Sequence, residues 1–356
     1  MIKVSVLVSL YNSMEYVQGL MEDLVQQSLF KKGEMEIIAI DSNSPQNEKA
    51  IIERYQAQYP NIVYHRTQNR ETLYGAWNTG ISKARGEYLT NANSDDRHHP
   101  EGIETLLRAL EINPKLDLVY ADVYESSIAN EPFYANSGKV HYKYPMYFAP
   151  ECLLAYQFGC QPLWRRSVHD KIGGFNSSMK AAGDWDFCIR FALAGLRAMH
   201  VNYVLGSFLN RPTSLSTQDE TSSKEQNSLR NKFITLENVK ALYAIAGWDV
   251  STERGVAEAY TDFAKRASAL KLPWLPDKNY LDATSAILGA HGAYDIFKQS
   301  PRTQWNLGVA LYITANPEQG GQLMNEALKK SDPVIIAAAQ SLASGGLKMA
   351  PYVGLT

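Results

Sequence analysis

Short apolar runs alternate with stretches of helical periodicity through the first half of the chain. That rhythm predicts parallel strands joined by crossover helices. Val4-Ser5-Val6-Leu7-Val8-Ser9 is a run of the kind that is buried on both faces of a sheet. Tyr16, Val17, Leu20, Met21, Leu24 and Val25 then recur at helical spacing, with Asn12 as the expected cap and Glu15 at its third position. A second strand is expected over Glu36–Ile40, ending on Asp41, and Ile51, Ile52 and Tyr55 mark a second helix. Ile62–His65 reads as a third strand. Leu73, Trp77 and Ile81 line one stripe of a third helix, while Ala76, Gly80 and Ala84 form a small-residue face suited to close packing. Glu87–Ala92 is the fourth expected strand and runs into Asn93-Ser94-Asp95-Asp96. Pro100 opens a helix at its favoured first position, with Ile103, Leu106, Leu107 and Leu110 facing inward. Leu116–Ala121 completes the series as a fifth strand.

The pattern then changes. Residues from about 125 to 160 are rich in Tyr, Phe and Pro with weak periodicity, as expected of long loops or an irregular sheet edge. A helix is expected over Asp184–Ala194, stopping at Gly195, followed by short strands near Arg197–Val201 and Leu205–Leu209. From about Thr213 to Lys224 the chain is rich in Ser, Thr, Gln and Asp, which marks a domain boundary. The expected organisation is an α/β domain over residues 1–218 and an all-α C-terminal region over 219–356. Helices in the latter are expected at 225–246, 253–270, 280–298, 302–315, 317–330 and 333–344. Trp305-Asn306-Leu307-Gly308 to Tyr312, with Ala327 and Pro333, faintly resembles a tetratricopeptide hairpin displaced by one residue. No clean second copy follows, and a plain helical cap is the preferred reading.

A length of 356 residues suits two domains. The formal net charge of −2 gives no general attraction to nucleic acid or anionic membrane, so no nucleic-acid partner is expected. Cys152, Cys160 and Cys188 match no zinc or disulfide framework and read as small apolar residues of a cytoplasmic protein. The chain opens on a strand, not on a charged leader with a long apolar core, and no apolar run is long enough to span a bilayer. Peripheral contact with the inner face of a membrane, or with a protein partner through the helical region, stays open.

Ligands of open parallel sheets bind beyond the carboxyl ends of the strands. Polar clusters fall at three such ends: Leu10-Tyr11-Asn12, Asp41-Ser42-Asn43 and Asn93 to Asp96. The first turn, Ser9-Leu10-Tyr11-Asn12-Ser13, has no glycine, which argues against a dinucleotide-binding dehydrogenase and a nucleotidyltransferase, and no P-loop occurs. Asn93-Ser94-Asp95-Asp96 concentrates carboxylates on a tight loop, and Mg²⁺ or Mn²⁺ is commonly held by one or two carboxylates plus substrate phosphates. The same residues also suit a loop and helix cap before Pro100. Asp184, between a glycine and Trp185, is placed to remove a proton from a hydroxyl or to cap its helix. Arg211-Pro212-Thr213-Ser214-Leu215-Ser216 offers a guanidinium and hydroxyls to phosphate oxygens. His98 and His99 read as exposed bystanders. The aromatic stretch Tyr142, Tyr144, Tyr147, Phe148, Tyr156 and Phe158 suits either packing under a loop or stacking on sugar rings.

Taken in order, these pieces resemble the inverting family 2 glycosyltransferases of the GT-A fold. The likeness rests on Val4 to Asn12, Ile38 to Ser44, Asn78-Thr79-Gly80-Ile81 with Ala84-Arg85-Gly86-Glu87-Tyr88-Leu89, and Asn93 to Asp96. It continues through Trp164-Arg165-Arg166, Gly173-Gly174-Phe175, Gly183-Asp184-Trp185-Asp186-Phe187 and Arg211 to Ser216. It covers residues 1 to about 218. It implies a Rossmann-like, mostly parallel sheet flanked by helices, and transfer from a nucleotide-diphosphate sugar, expected to be a UDP-sugar, to a glycan or lipid-linked acceptor. By that likeness Asp184 is the catalytic base. The donor is met by Leu10, Tyr11, Asn12, Asp41, Asn43, Arg70, Asn78, Asn93, Ser94 and Arg211, and Mn²⁺ or Mg²⁺ is met by Asp95 and Asp96. Asn93 stands where the family keeps an aspartate and removes a negative charge. That departure motivates the alternative, a non-catalytic nucleotide-sugar-binding scaffold of the same fold.

Overall fold

A computed structural model of the chain describes residues 1–136, 140–211 and 220–269. Of 301–340 it describes 301, 304, 305, 308, 317–333, 335, 336, 339 and 340. The chain divides into two compact units, Met1–Phe148 with Ala155–Lys232, and Ala149–Leu154 with the chain from Phe233 onward. The first unit thus runs past residue 218 and takes in the helix that follows it.

That unit is built on four parallel strands: β1 (Val4–Leu10), β2 (Met35–Asp41), β3 (Ile62–Arg66) and β4 (Tyr88–Ala92). Their order in the sheet is β3-β2-β1-β4, with β1 pairing parallel to both β2 and β4. Both central strands are buried on both faces, which is why they read as continuous apolar runs instead of alternating ones. Val4, Val6, Val8 and Leu10 join Met35, Ile37 and Ala39 in one core with α1 (Met14–Val25), α3 (Glu48–Gln56) and α5 (Gly102–Ile112). A short α2 (Ser28–Lys31) adds Leu29 and Phe30 to that core. On the opposite face α4 (Leu73–Lys83) lies against β1 and β2. Gly80 meets Leu7 and Ile40 there, so the small-residue face does bring this helix close to the sheet.

Beyond β4 the sheet continues through strands that the sequence pattern only partly reveals. The three-residue β8 (Leu163–Arg165) pairs antiparallel with both β4 and β6 (Leu118–Ser126). Next to β6 runs β9 (Ala198–Leu209), parallel, with register shifts at Ala121 to Val123. The two short strands expected after Gly195 are therefore one strand interrupted by a bulge, which bends a strand without ending it. Strands β5 (Arg97–His98) and β7 (Val140–Tyr142) pair antiparallel with β9 and β6. At two or three residues, β5, β7 and β8 are too short to show a period. The first expected cap also moves: Ser13 holds the N-cap position of α1, and Asn12 lies in the left-handed region at φ 51°. Pro100 stands two residues before α5 and accepts the Ser28 amide instead of opening the helix.

The remaining helices of the first unit are α6 (Val168–Ile172), α7 (Gly183–Leu193) and α8 (Glu220–Phe233). In the second unit come α9 (Leu236–Ile245), α10 (Glu253–Ala269) and α11 (Pro317–Lys329). The single helix expected over 225–246 is broken, because the Thr235 hydroxyl accepts the Asn238 amide and starts α9 afresh. Trp305, Met324, Ala327, Ile335 and Ala339 form a small apolar cluster there. The helix expected at 280–298 lies outside the described residues, as do parts of those at 302–315 and 333–344.

Gly86 carries a constraint on the β1 edge. Its amide donates to Ser5 Oγ at 2.9 Å, and Ser5 Oγ donates to the buried Glu36 carboxylate at 2.6 Å. A Cβ on Gly86 would stand 2.7 Å from the Ser5 nitrogen and 2.8 Å from the Lys3 carbonyl oxygen. Both neighbours are backbone, so strand and turn must separate. Gly86→Ala is expected to lower stability by about 1–3 kcal/mol, as overpacking does, read as a lower urea midpoint at unchanged slope.

Candidate active site

The parallel register sets where the polar clusters meet. Leu10 pairs with Asp41, Asp41 with Arg66, and Val8 with Ala92, so the strands release their polar turns at one edge of the sheet. Asn12 and Asn43 both adopt left-handed backbone, φ 51° and 52°, just past the ends of β1 and β2. Asparagine tolerates that conformation better than most residues, and such strain is commonly stored at functional sites.

Three groups of side chains occupy this edge. In the first, the fully buried Asp41 accepts the Tyr64 hydroxyl and Arg66 Nη1, each at 2.6 Å, and its other oxygen accepts the Ser44 amide at 2.8 Å. Arg66 Nη2 also donates to Asn43 Oδ1 at 2.9 Å, and the Asn12 amide donates to Ser44 Oγ at 3.1 Å. Arg70 is exposed and stacks its guanidinium 4.0 Å from the centroid of the Tyr11 ring. Leu10 is buried below them. Tyr64 and Arg66 were not singled out from the sequence. Their alternation on β3 was the available signal, since residues i and i+2 share a strand face.

The second group surrounds the carboxylate loop. Asp95 Oδ2 meets Arg211 Nη2 at 2.8 Å, and Arg211 Nη1 donates to the Tyr16 hydroxyl at 2.7 Å. Asp96 turns inward instead. Asn93 Nδ2 donates to its Oδ2 at 2.9 Å, the Leu209 amide approaches its Oδ1 at 3.4 Å, and burial followed by the Asp95 charge pushes its proton affinity up. The Ser94 carbonyl accepts Arg97 Nη1 at 3.2 Å. Pro212 to Ser216 lie outside the described residues. His98 is buried in β5 and tied to Asp23 at 2.9 Å rather than exposed; pairing of β5 with β9 draws it inward.

The third group is a cavity of about 210 Å³ lined by Leu73, Trp77, Asn91, Asn93, Tyr144, Tyr156, Gly159, Cys160 and Asp184. Asn93 and Asp184, 91 positions apart in sequence, thus face the same space. Asp184 lies in the first turn of α7, where its Oδ1 accepts the Tyr74 hydroxyl at 3.1 Å and the Trp185 amide at 2.8 Å. Burial pushes its carboxyl up to about 6 despite these hydrogen bonds. Tyr74 reaches it because Gly183 has no side chain: a Cβ there would meet the tyrosine ring at 2.6 Å. Tyr74 was missed in the sequence because it falls within an ordinary helical stripe. Tyr144 and Tyr156 belong to the aromatic stretch and do line the cavity.

Asn78 stands apart from all three groups. Its Nδ2 donates to the Phe175 carbonyl and its Oδ1 accepts the Phe175 amide, each at 2.8 Å. This clamps the Gly173-Gly174-Phe175 turn to α4, and both ends of the side-chain amide are used in doing so.

Among the described residues no group of three His, Cys, Asp or Glu side chains forms a cage for a metal ion. A cation held by protein ligands alone does not fit this loop. The half-buried Asp95 carboxylate fits a Mg²⁺ or Mn²⁺ ion that takes most of its shell from phosphate oxygens and water.

Residues 5–173 match the family model described as glycosyl transferase family 2. An uncharacterized glycosyltransferase of Haemophilus influenzae is 25% identical over 280 residues, covering 75% of this chain and 92% of that protein. Glycosyltransferase GlyG of Streptococcus pneumoniae is 30% identical over 131 residues, 37% of this chain and 42% of that one. Among solved structures, S. aureus TarS 1–349 in complex with UDP-GlcNAc superposes with a TM-score of 0.55 at 15% identity, covering 87% of each chain. That likeness is one of fold, α/β with a helical C-terminal region.

The Tyr74 hydroxyl holds the ionised form of Asp184, so its loss should raise the carboxyl's proton affinity. In Tyr74→Phe the Asp184 titration, followed by the carboxyl carbon resonance in selectively labelled protein, is expected to move to higher pH. An unmoved midpoint would show that the hydrogen bond does not bear on the carboxylate.

Proposed function

This chain belongs to glycosyltransferase family 2, and from that premise we propose that it transfers a sugar from a nucleotide-diphosphate donor to an acceptor hydroxyl with inversion. The observation that carries the reading is the shared cavity. It brings a carboxylate with raised proton affinity, Asp184, to the same space as Asn93 of the carboxylate loop. A general base works best with a pKa near the operating pH. Tyr74 and the Trp185 amide keep its oxygen oriented.

Asp184 takes the proton from the acceptor hydroxyl as that oxygen bonds to the anomeric carbon. The bond from that carbon to the diphosphate breaks on the opposite side, and its electron pair leaves with the nucleoside diphosphate. An α-linked donor then yields a β-linked product. Arg211, paired with Asp95 in the structure, is the cation that meets the departing phosphate charge. A divalent ion bound at Asp95 would add Lewis-acid neutralisation of the diphosphate. Asp96 supports the loop from within through Asn93 and Leu209. Tyr11 with Arg70, and Asp41 with Asn43 and Arg66, form the nucleotide end. Because TarS is described in complex with UDP-GlcNAc, uridine donors head the panel to be tried, with hexosyl and N-acetylhexosaminyl donors compared. The acceptor is a glycan or a lipid-linked glycan. No helix among the described residues is long and apolar enough to cross a membrane.

Asp184→Asn is expected to lower turnover by about 10²-fold or more, the scale of a lost general base, while donor binding measured by calorimetry stays within about twofold. Wild-type turnover should rise with pH through about 6 as the Asp184 carboxyl ionises. The sign for stability is opposite. Because the folded carboxyl binds its proton more tightly than the unfolded one, its contribution to stability is present at low pH and is lost as pH rises through about 6. Full turnover by Asp184→Asn would overturn the base assignment. A scaffold would bind donor yet show neither transfer nor donor hydrolysis at any pH.

Chelation tests the cation separately. With EDTA, donor affinity and transfer should both fall, and Mn²⁺ or Mg²⁺ should restore them. Asp95→Asn should remove that metal dependence, whereas Asp96→Asn should retain it. Equal loss of metal response in both variants would place the ion elsewhere than proposed.

A further inference from the structure

We propose that Glu225, on α8, is a positioning residue for the Asp184 carboxylate, so that α8 takes part in setting the base. This rests on Asp184 as the base. Glu225 Oε1 accepts the Lys180 amide at 2.8 Å, and Oε2 accepts the Ala181 and Ala182 amides at 2.9 and 3.0 Å. These are the residues leading directly into α7, whose first turn carries Asp184. The Ala182 amide is one of the N–H groups that a helix start leaves without a partner, and one carboxylate from 43 to 45 residues away accepts it together with the two amides before it. On the other side of Asp184, the Arg230 guanidinium lies 4.8 Å from the centroid of the Trp185 ring. Two side chains of α8 thereby hold the backbone before the base and the residue after it.

The chemistry of the contact points to more than packing. Ser222 and Leu229 are buried on the inward stripe of α8, and an apolar residue at 225 would dock the helix without the cost of desolvating a charge. A carboxylate instead makes charge-assisted hydrogen bonds to the three amides and pins their positions. It also sets a negative charge beside Asp184 that adds to the upward push of burial. Position and proton affinity of the base are thus linked to one residue of α8, 41 positions along the chain.

The test uses the full chain and three variants, Glu225→Ala, Glu225→Asp and Glu225→Gln. Glu225→Ala should lower kcat by about tenfold or more, with donor KM within about twofold, since misplacing a base costs turnover rather than binding. It should also speed hydrogen exchange of the amides of 180–182. Glu225→Asp should recover part of kcat. In Glu225→Gln the acid limb of the pH–rate profile should move to lower pH, because the neighbouring negative charge is gone. An Ala variant with wild-type kcat, or a Gln variant with an unmoved limb, overturns the proposal; if the Ala variant does not fold, the Asp and Gln variants decide. If the wild type turns over no donor, the glycosyl-transfer reading fails by itself. The Asp184 carboxyl titration in wild type against Glu225→Gln then decides the positioning role, with a fall in midpoint supporting it and no change overturning it.

Discussion

The parallel hydrogen-bond register of β1 with β2 and β4 is the constraint on which the rest of this site depends. Because Leu10 pairs with Asp41 and Val8 with Ala92, three polar turns must leave the sheet at one edge. Parallel pairing needs a crossover for each strand, and α1, α3 and α4 supply these while covering both faces. A slip of one residue in this register would exchange the residues packed under the two helical layers and carry Asp41 away from Leu10. The continuous apolar strands make such a slip costly, so the edge on which the site is built is held by the core beneath it.

Charge is managed differently at each part of that edge. Asp41 is fully buried but surrounded by donors, including a guanidinium that reaches in from solvent. Asp95 and Arg211 neutralise each other across the loop where a diphosphate and a cation are proposed to bind. Each would exchange its partner for a ligand of the same sign as the one it loses, so binding there need not leave a buried charge unpaired. Among the described residues no cation pairs with Asp184, whose partners are the Tyr74 hydroxyl and the Trp185 amide. These hydrogen bonds soften the burial without cancelling it, so the carboxyl binds its proton more tightly than an exposed one, as the base proposed for it requires.

The aromatic and glycine positions serve the same end. Gly183 admits the Tyr74 ring to the start of α7, and Asn78 ties the neighbouring Gly173-Gly174-Phe175 turn to the helix that carries Tyr74. Phe175 in turn stacks on Phe187 of α7 with ring centroids 4.6 Å apart. The Gly173-Gly174-Phe175 turn, α7 and α4 therefore form one packed body around Asp184. Asn78, expected as a donor contact, holds that body together through both ends of its side-chain amide.

The longer strands and helices of the first unit were legible because burial on both faces of β1 and β2, and on one stripe of each helix, writes itself as hydrophobic period. The three polar turns were legible too, since polar residues directly after such runs have nowhere to be but a strand end. The order of these blocks carried the resemblance to the family whose model matches residues 5–173. What sequence could not decide was everything set by contacts between distant segments. The two- and three-residue strands β5, β7 and β8 exist only because a neighbour pairs with them. Asp95 and Asp96, adjacent and chemically identical, were told apart only by which one the fold turns inward. Tyr64, Arg66, Tyr74 and Glu225 lie on ordinary strand and helix positions, and their significance comes from the partner each one meets. Local pattern records burial, which each residue experiences singly; a site is a set of distances between residues far apart in the chain, and only the tertiary structure determines those.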